Sequence, residues 1–259
     1  MIWAAVVLYL VIVGVVIGAL IRATSYRRGS GHVITETRPV AGFDRVAVSG
    51  MGTLVITQGN EDSLTVEAED NVLPEIETLV DGGASTSLSL APPRAQSRGG
   101  KLEIRFRRWW PRGIRPTKPI RYHLTARSIS AISTSGSVGV EGTELRGDEL
   151  SVATSGSSQV DLAVAVKSLH SIISGSGTFR LRGVTESQSA EISGSGEYLA
   201  RDLQSGRCTL RVSGSGAAQV AATEVLDVAI SGSGDVSYWG NPVVTKAISG
   251  SGDVHRGEA

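Results

Sequence analysis

The chain is poor in the residues on which many functions depend. Its 259 residues include one cysteine and four histidines, and only 5% are aromatic. A single cysteine excludes an intramolecular disulfide framework and a cysteine-cluster metal site. The 25 Lys and Arg residues balance 25 Asp and Glu residues, so the chain has no overall basic field with which to hold nucleic acid. Hydrophobic residues make up 41% of the chain, which excludes a polar disordered protein.

Residues 1–21 contain no charged side chain. A helix of about 20 apolar residues crosses the hydrocarbon layer of a membrane, so we expect residues 2–21 to span it, with a transmembrane anchor over 1–22 and a linker over 23–34. A cleaved signal peptide is the alternative, but the segment lacks a basic n-region and an A-x-A site, and its apolar run is longer than usual. A lipoprotein anchor is excluded because the only cysteine is Cys208.

The charges beside this segment bear on its orientation. Arg22, Arg27 and Arg28 follow it, and the positive-inside rule favours a cytoplasmic location for such a flank. Long domains cross the membrane largely regardless of charge. Three arginines therefore leave both orientations open.

From residue 35 onward the sequence predicts strands, since apolar and polar residues alternate. The stretch 70–78 is the exception, where a short helical turn is expected with Val72, Leu73 and Ile76 on one side. No long amphipathic helix is predicted after residue 22. The alternation is clear at Val46 and Val48, Leu54 and Ile56, Leu64, Val66 and Ala68, and Leu102, Ile104 and Phe106.

The C-terminal half contains an internal repeat. Ser-Gly motifs begin at Ser135, Ser155, Ser174, Ser193, Ser213, Ser231 and Ser249, with spacings of 20, 19, 19, 20, 18 and 18 residues. Apolar residues precede and follow each motif at alternate positions, so each unit is a strand, a corner and a strand. A unit this small buries its apolar face only by stacking. The repeat therefore predicts an all-β, single-stranded parallel β-helix with coils of about 19 residues.

Stacking makes a specific prediction about the core. One residue from each coil forms a continuous inward ladder, with layers about 4.8 Å apart. The glycine of each motif permits a tight corner, and its serine hydroxyls can hydrogen-bond there. The predicted ladder consists of Ile173, Ile192, Val212, Ile230 and Ile248.

Other interpretations of the motif are weaker. Flexible linkers carry no apolar register on both sides, and a phosphate loop needs a following helix and lysine. Calcium-binding repeats need recurring aspartates, whereas the positions equivalent to Asp235 hold Thr178, Glu197 and Ala217. Glycosidase chemistry needs clustered acids, and His123 and His170 have no partner at motif spacing. We predict no metal, no cofactor and no enzymatic activity.

One segment has a distinct chemistry. Residues 105–121, the basic segment, contain seven Lys or Arg residues and two tryptophans without an acid, and three prolines predict a central loop. Such a segment suits a membrane interface, an anionic polymer or sugar rings; a solvated tip is the alternative. The acidic stretch 61–81 is an internal competitor for these charges. The candidate contact residues are Arg105, Arg107, Arg108, Trp109, Trp110, Arg112, Arg115 and Lys118.

The N-terminal half carries a family resemblance. Its features are the T-E-x-R-P-V-x-G-F-D opening at 35–44, the V-S-G-x-G corner at 48–52, the D-N-V-L-P-x-I-E stretch at 70–77 and the repeated I-S-G-S-G. With these, residues 30–255 resemble the putative auto-transporter adhesin, head GIN domain family. The resemblance implies a β-helical domain on the outer side of a bacterial membrane, and it implies no catalytic residues. The chain departs from the family pattern in two ways. It has a plain span where the family has a lipobox, and it contains the basic segment.

These observations lead to two hypotheses about function. The first is a membrane-anchored, single-pass, non-catalytic binding or adhesion module of the bacterial envelope, exported, with 35–125 as its N-terminal β part and 126–255 as the repeat β-helix. Its expected partners are anionic glycan, lipid headgroups or another envelope protein, and not nucleic acid. The second is a structural or signalling scaffold that self-associates through its open ends. The charged residues Asp253, His255, Arg256 and Glu258 favour the first.

Overall fold

The computed structural model of the chain describes residues 27–81, 99–107 and 114–258. Within these ranges the protein consists of β-strands and one 3-10 turn, Leu73–Glu75. The strands are β1 (Arg27–Arg28), β2 (Val33–Arg38), β3 (Phe43–Gln58), β4 (Ser63–Glu69), β5 (Ile76–Asp81), β6 (Gly100–Phe106), β7 (Ile114–Arg115), β8 (Arg121–Ala126), β9 (Ala131–Gly156), β10 (Gln159–Gly175), β11 (Thr178–Gly194), β12 (Glu197–Gly214), β13 (Ala217–Gly232), β14 (Asp235–Trp239), β15 (Val243–Gly250) and β16 (Asp253–Arg256).

The repeats fold into a parallel β-solenoid, which confirms the predicted architecture. Each long strand pairs in parallel with the strand of the next coil. Gln159 pairs with Thr178, Thr178 with Glu197 and Glu197 with Ala217, so successive coils are about 19 residues long. Strand β3 forms the first coil and pairs in parallel with β9.

The Ser-Gly corners require glycine for two reasons. At Gly194, φ is +115°, a left-handed value that L-residues with a side chain rarely adopt. A Cβ at this position would also lie 2.7 Å from the carbonyl oxygen of Gly175 on the preceding coil. The corners therefore stack backbone on backbone, which explains why glycine recurs with the period of the coils.

The inward ladder has the predicted register. Ile173, Ile192, Val212, Ile230 and Ile248 are successive partners on adjacent strands. The first four are buried, whereas Ile248 is 40% exposed. Ile248 differs because, in the described part of the chain, no further coil covers it. On the same terminal strand, Lys246 occupies the position that Val228 fills one coil earlier.

The N-terminal end departs from the purely parallel arrangement that the repeat predicted. Strand β4 pairs antiparallel with β2 and β8, and β5 pairs antiparallel with β6. The 3-10 turn between β4 and β5 confirms the predicted short helical turn, and Val72, Leu73 and Ile76 are buried there. Arg38 of β2 donates hydrogen bonds to the carbonyl oxygens of Ile76 and Leu73. These interactions close the first end of the solenoid with a distinct structure.

Polar side chains are also buried in the solenoid. The Tyr198 hydroxyl donates to Gln188 Oε1 at 3.0 Å, and Gln188 Nε2 donates to Ser205 Oγ at 2.9 Å. Ser205 Oγ in turn donates to the carbonyl oxygen of Ala221. Each of these three side chains thus has a partner on a neighbouring coil. Cys208 is buried in the same core, as its position in the repeat predicts.

The membrane span predicted at residues 2–21 lies outside the described residues. Among the residues that the structure describes, no helix has the length and apolar character needed to cross a membrane. The span stays a prediction from the sequence.

Candidate functional site

The first part of the basic segment is neutralised by the acidic stretch. Arg105 lies near the end of β6 and Arg107 directly follows this strand; Arg105 is the cross-strand partner of Glu77 on β5. Glu77 accepts from Arg107 Nε at 2.8 Å and from Arg105 Nε at 3.2 Å. Hydrogen bonds from Arg107 and then from Arg105 hold the pKa of Glu77 below its ordinary value. These two arginines are therefore matched within the fold.

The candidate residues in the middle of the basic segment remain predictions from the sequence. Arg108, Trp109, Trp110 and Arg112 lie outside the described residues. Arg115 and Lys118, the remaining candidates, are described and exposed.

The structure joins the basic segment to the arginines that precede the domain. Strand β1 pairs in parallel with β7, so that Arg27 is opposite Ile114 and Arg28 is opposite Arg115. The Gly29 backbone N–H continues this pairing by donating to the carbonyl oxygen of Arg115 at 2.9 Å. Among the described residues, no carboxylate lies within ion-pair distance of Arg27, Arg28, Arg115 or Lys118. We call these four residues the basic strip.

The buried carboxylate of Glu69 contacts both residues 29–31, which we call the entering chain, and the basic segment. Glu69, at the end of β4, is only 1% exposed. Its Oε1 accepts from the Gly31 backbone N–H at 2.7 Å and from the Thr117 hydroxyl, and its Oε2 accepts from the Thr117 backbone N–H at 2.8 Å. Burial acts to raise the pKa of Glu69, but hydrogen bonds from Thr117, Gly31 and Lys118 together lower it. Glu69 therefore binds as a carboxylate between the entering chain and the basic segment.

The turn after Glu69 holds the entering chain further. Asn71 Oδ1 accepts from the Ser30 backbone N–H at 3.0 Å, and Asn71 Nδ2 donates to the Arg28 carbonyl oxygen at 2.9 Å. A Cβ on Gly29 would lie 2.0 Å from Glu69 Oε2. The close approach of chain and carboxylate thus depends on a glycine at this point.

Lys118 faces an open cleft of about 480 Å³. One wall is formed by Pro116, Lys118, Pro119 and Ile120, and the other by the Ser-Gly corner of the first coils. Thr53, Ser157 and Gln159 lie on the corner wall. The residues that line the cleft therefore include one lysine, three hydroxyl-bearing residues and one glutamine.

Sequence reasoning missed the residues that assemble this site. In the sequence, Arg27 and Arg28 bear only on membrane orientation, and Glu69 is only one acid of the acidic stretch. No spacing in the chain links Glu69 to Thr117, because the contact joins positions 48 residues apart. The small residues at 29–31 are the only local signal, since a close approach of the backbone needs them.

Comparisons with known proteins find solved structures with the same fold. A solved structure of a putative adhesin from Bacteroides fragilis is 22% identical, with a TM-score of 0.74, over 88% of this chain and 98% of that chain. A putative lipid binding protein from Parabacteroides distasonis is 21% identical, with a TM-score of 0.70, over 90% of this chain and 100% of that chain. A putative adhesin from the same organism is 19% identical, with a TM-score of 0.63, over 90% and 100%. None of the curated proteins compared with the chain matches it.

At these identities the solved structures show the shared fold. The family assignment comes from the sequence itself, whose match extends over residues 42–242 and so includes strands β3 to β14. The chain belongs to the putative auto-transporter adhesin, head GIN domain family.

Proposed function

We propose that the protein is a non-catalytic binding module of the bacterial envelope, anchored by residues 2–21 and exported, whose basic strip contacts anionic lipid headgroups. The pairing of β1 with β7 carries this proposal. Arg27 follows Ile21 by six residues, and six residues reach at most about 20–22 Å. The pairing therefore keeps the basic strip close to the surface that the predicted span enters.

The charges of the basic strip support an anionic partner. Four exposed cations without an acidic partner among the described residues repel one another, and phosphate groups relieve that repulsion. Each Lys or Arg near an anionic membrane surface contributes about 1 kcal/mol. Arg105 and Arg107 are left out because Glu77 already pairs with them.

Lipid headgroups are a better candidate than acidic glycans because Arg27 and Arg28 follow the predicted membrane span within a few residues. The name of the Parabacteroides distasonis relative, a putative lipid binding protein, agrees with this choice. An adhesion role for the far coils of the solenoid is compatible with it, since those coils stack away from the strip.

Self-association through the open end is the weaker alternative. Val243 is 72% exposed and Ile248 is 40% exposed on the terminal strand β15, which leaves an apolar edge. Lys246 lies between them at a position that is apolar in the preceding coil. A lysine that takes a core position on an edge strand opposes stacking of a second copy.

Vesicle binding tests the proposed function. A soluble fragment must begin before Arg27, because β1 supplies two of the cations; residues 24–259 meet this need. We expect the triple variant Arg27→Ser, Arg28→Ser, Arg115→Ser to bind anionic vesicles about 100-fold more weakly at low salt, from about 1 kcal/mol per charge.

A matched control removes three exposed cations elsewhere, Arg180→Ser, Arg211→Ser and Arg256→Ser. These residues lie on the far coils, so their loss should change vesicle binding little. Equal losses in both triple variants would refute the basic strip as the contact surface. A reporter fused after Ala259 checks export, and reporter activity confined to the cytoplasm would contradict the placement outside.

A further inference from the structure

The cleft beside Lys118 has the composition of an anion site. Its walls carry the Lys118 ammonium, the hydroxyls of Thr53, Ser137 and Ser157, and the Gln159 amide. None of the described residues that line it is acidic. An ammonium group and hydroxyl groups are donors that phosphate oxygens accept well.

Gly139 is one of two glycines that line the cleft. Gly139 pairs with Thr53 on one side and with Gln159 on the other, so the three residues form one outward column on successive coils. Its neighbours carry side chains and Gly139 has none, which leaves a gap in the column at a point where the column lines the same cleft as Lys118. A Cβ at Gly139 would lie 3.3 Å from Thr53 Oγ1, so a side chain there would fill the gap after a small shift of Thr53.

The cleft also offers apolar contacts. Met51, Pro119 and Ile120 line it together with the polar groups. Apolar walls with a few placed polar groups are typical of small-molecule sites. A ligand that carries both a phosphate and a short carbon chain fits this pattern better than a bare ion.

We propose that this cleft binds the phosphate and glycerol of an anionic lipid headgroup. The inference rests on the proposed function, because closeness to the membrane selects a headgroup among phosphate compounds. Lys118 follows Arg115 by three residues, a reach of at most about 10–11 Å. The basic strip thus attracts the anionic surface, and the cleft takes one headgroup from it.

Amine labelling tests the cleft directly in the full chain. The four lysines are Lys101, Lys118, Lys167 and Lys246, so mass spectrometry resolves the labelling rate of each. The full chain is placed in phosphatidylcholine nanodiscs, and glycerol phosphate is added as the probe. At about ten times its dissociation constant, the probe should slow labelling of Lys118 about tenfold, while the exposed Lys246 serves as the unprotected reference.

Two substitutions separate cleft from surface. Gly139→Gln fills the gap with the side chain found at Gln159 in the same column. Ala217→Gln places the same side chain farther along that column, where Glu197 and Asp235 are its neighbours, and is the matched control. We expect protection of Lys118 to be lost in Gly139→Gln and kept in Ala217→Gln.

Three outcomes would overturn the inference: no protection of Lys118, equal protection in Gly139→Gln, or equal protection of Lys246. Equal protection by inorganic phosphate would assign a bare phosphate site and overturn the headgroup. The triple variant Arg27→Ser, Arg28→Ser, Arg115→Ser keeps the cleft, so it should retain protection by soluble glycerol phosphate. If the basic strip still binds vesicles but glycerol phosphate does not protect Lys118 from labelling, the cleft inference fails and the proposed function stands.

Discussion

The inward ladder allows one substitution to be tested in two environments. Ile192 and Ile248 occupy the same position on different coils, yet Ile192 is 1% exposed and Ile248 is 40% exposed. Changing isoleucine to alanine removes three carbon groups, which amounts to about 2.4 kcal/mol of transfer free energy for a buried side chain. Ile192 has covered neighbours on both sides, so a cavity adds to this loss.

We therefore expect Ile192→Ala to lower the free energy of unfolding by about 3–4 kcal/mol. At Ile248 only part of the side chain is covered and no closed cavity forms, so Ile248→Ala should lower it by about 1 kcal/mol. For a chain of this size the first change corresponds to a fall in Tm of about 10 °C.

Urea denaturation followed by far-UV circular dichroism measures both free energies under one condition. The matched pair separates burial from side-chain chemistry, because residue, substitution and ladder position are the same. Equal losses at Ile192 and Ile248 would refute the argument that coil stacking supplies the stability. A loss at Ile248 larger than at Ile192 would refute the order of the coils as well.

Three further predictions concern buried polar groups. Thr154 pairs with Ile173 in the ladder, and its buried hydroxyl has no hydrogen-bond partner among the described residues; Thr154→Val should raise the unfolding free energy by about 1 kcal/mol in urea titrations, and a loss would contradict this. Burial raises the pKa of the Cys208 thiol to about 12, so a thiol reagent at pH 8 should react only after unfolding; fast labelling of the native protein would show the assignment to be wrong. The pKa of Glu69 is lowered in the fold, so its carboxylate stabilises the protein above the ordinary glutamate pKa of about 4.3, and this contribution is lost as pH falls through the lowered value. Glu69→Gln should therefore be less stable than the parent at pH 7, with a difference that shrinks in acid; a difference independent of pH would exclude a role for the charge.

Much of the fold follows from local pattern in the sequence. The Ser-Gly period and the apolar positions around it predict the coil length and the ladder through Ile173, Ile192, Val212 and Ile230, because each coil repeats the same requirement. The prolines and basic residues at 105–121 likewise mark a segment with its own chemistry. A repeat of this kind can be recognised in the sequence without knowing which distant residues are in contact.

The tertiary structure determined which residues the basic segment contacts. It assigned Arg105 and Arg107 to Glu77, and it joined Arg28 to Arg115 and Gly31 to Thr117 through Glu69. The sequence does not contain these pairings as a pattern, since they depend on which strands become neighbours after the N-terminal sheet folds back. The same holds for Gln188, which lies where other coils have an apolar residue. It is buried because Tyr198 and Ser205 on the next coil satisfy its amide. Burial of a polar group costs free energy unless the group has hydrogen-bond partners. Here the stacking of the coils determines which residues become those partners.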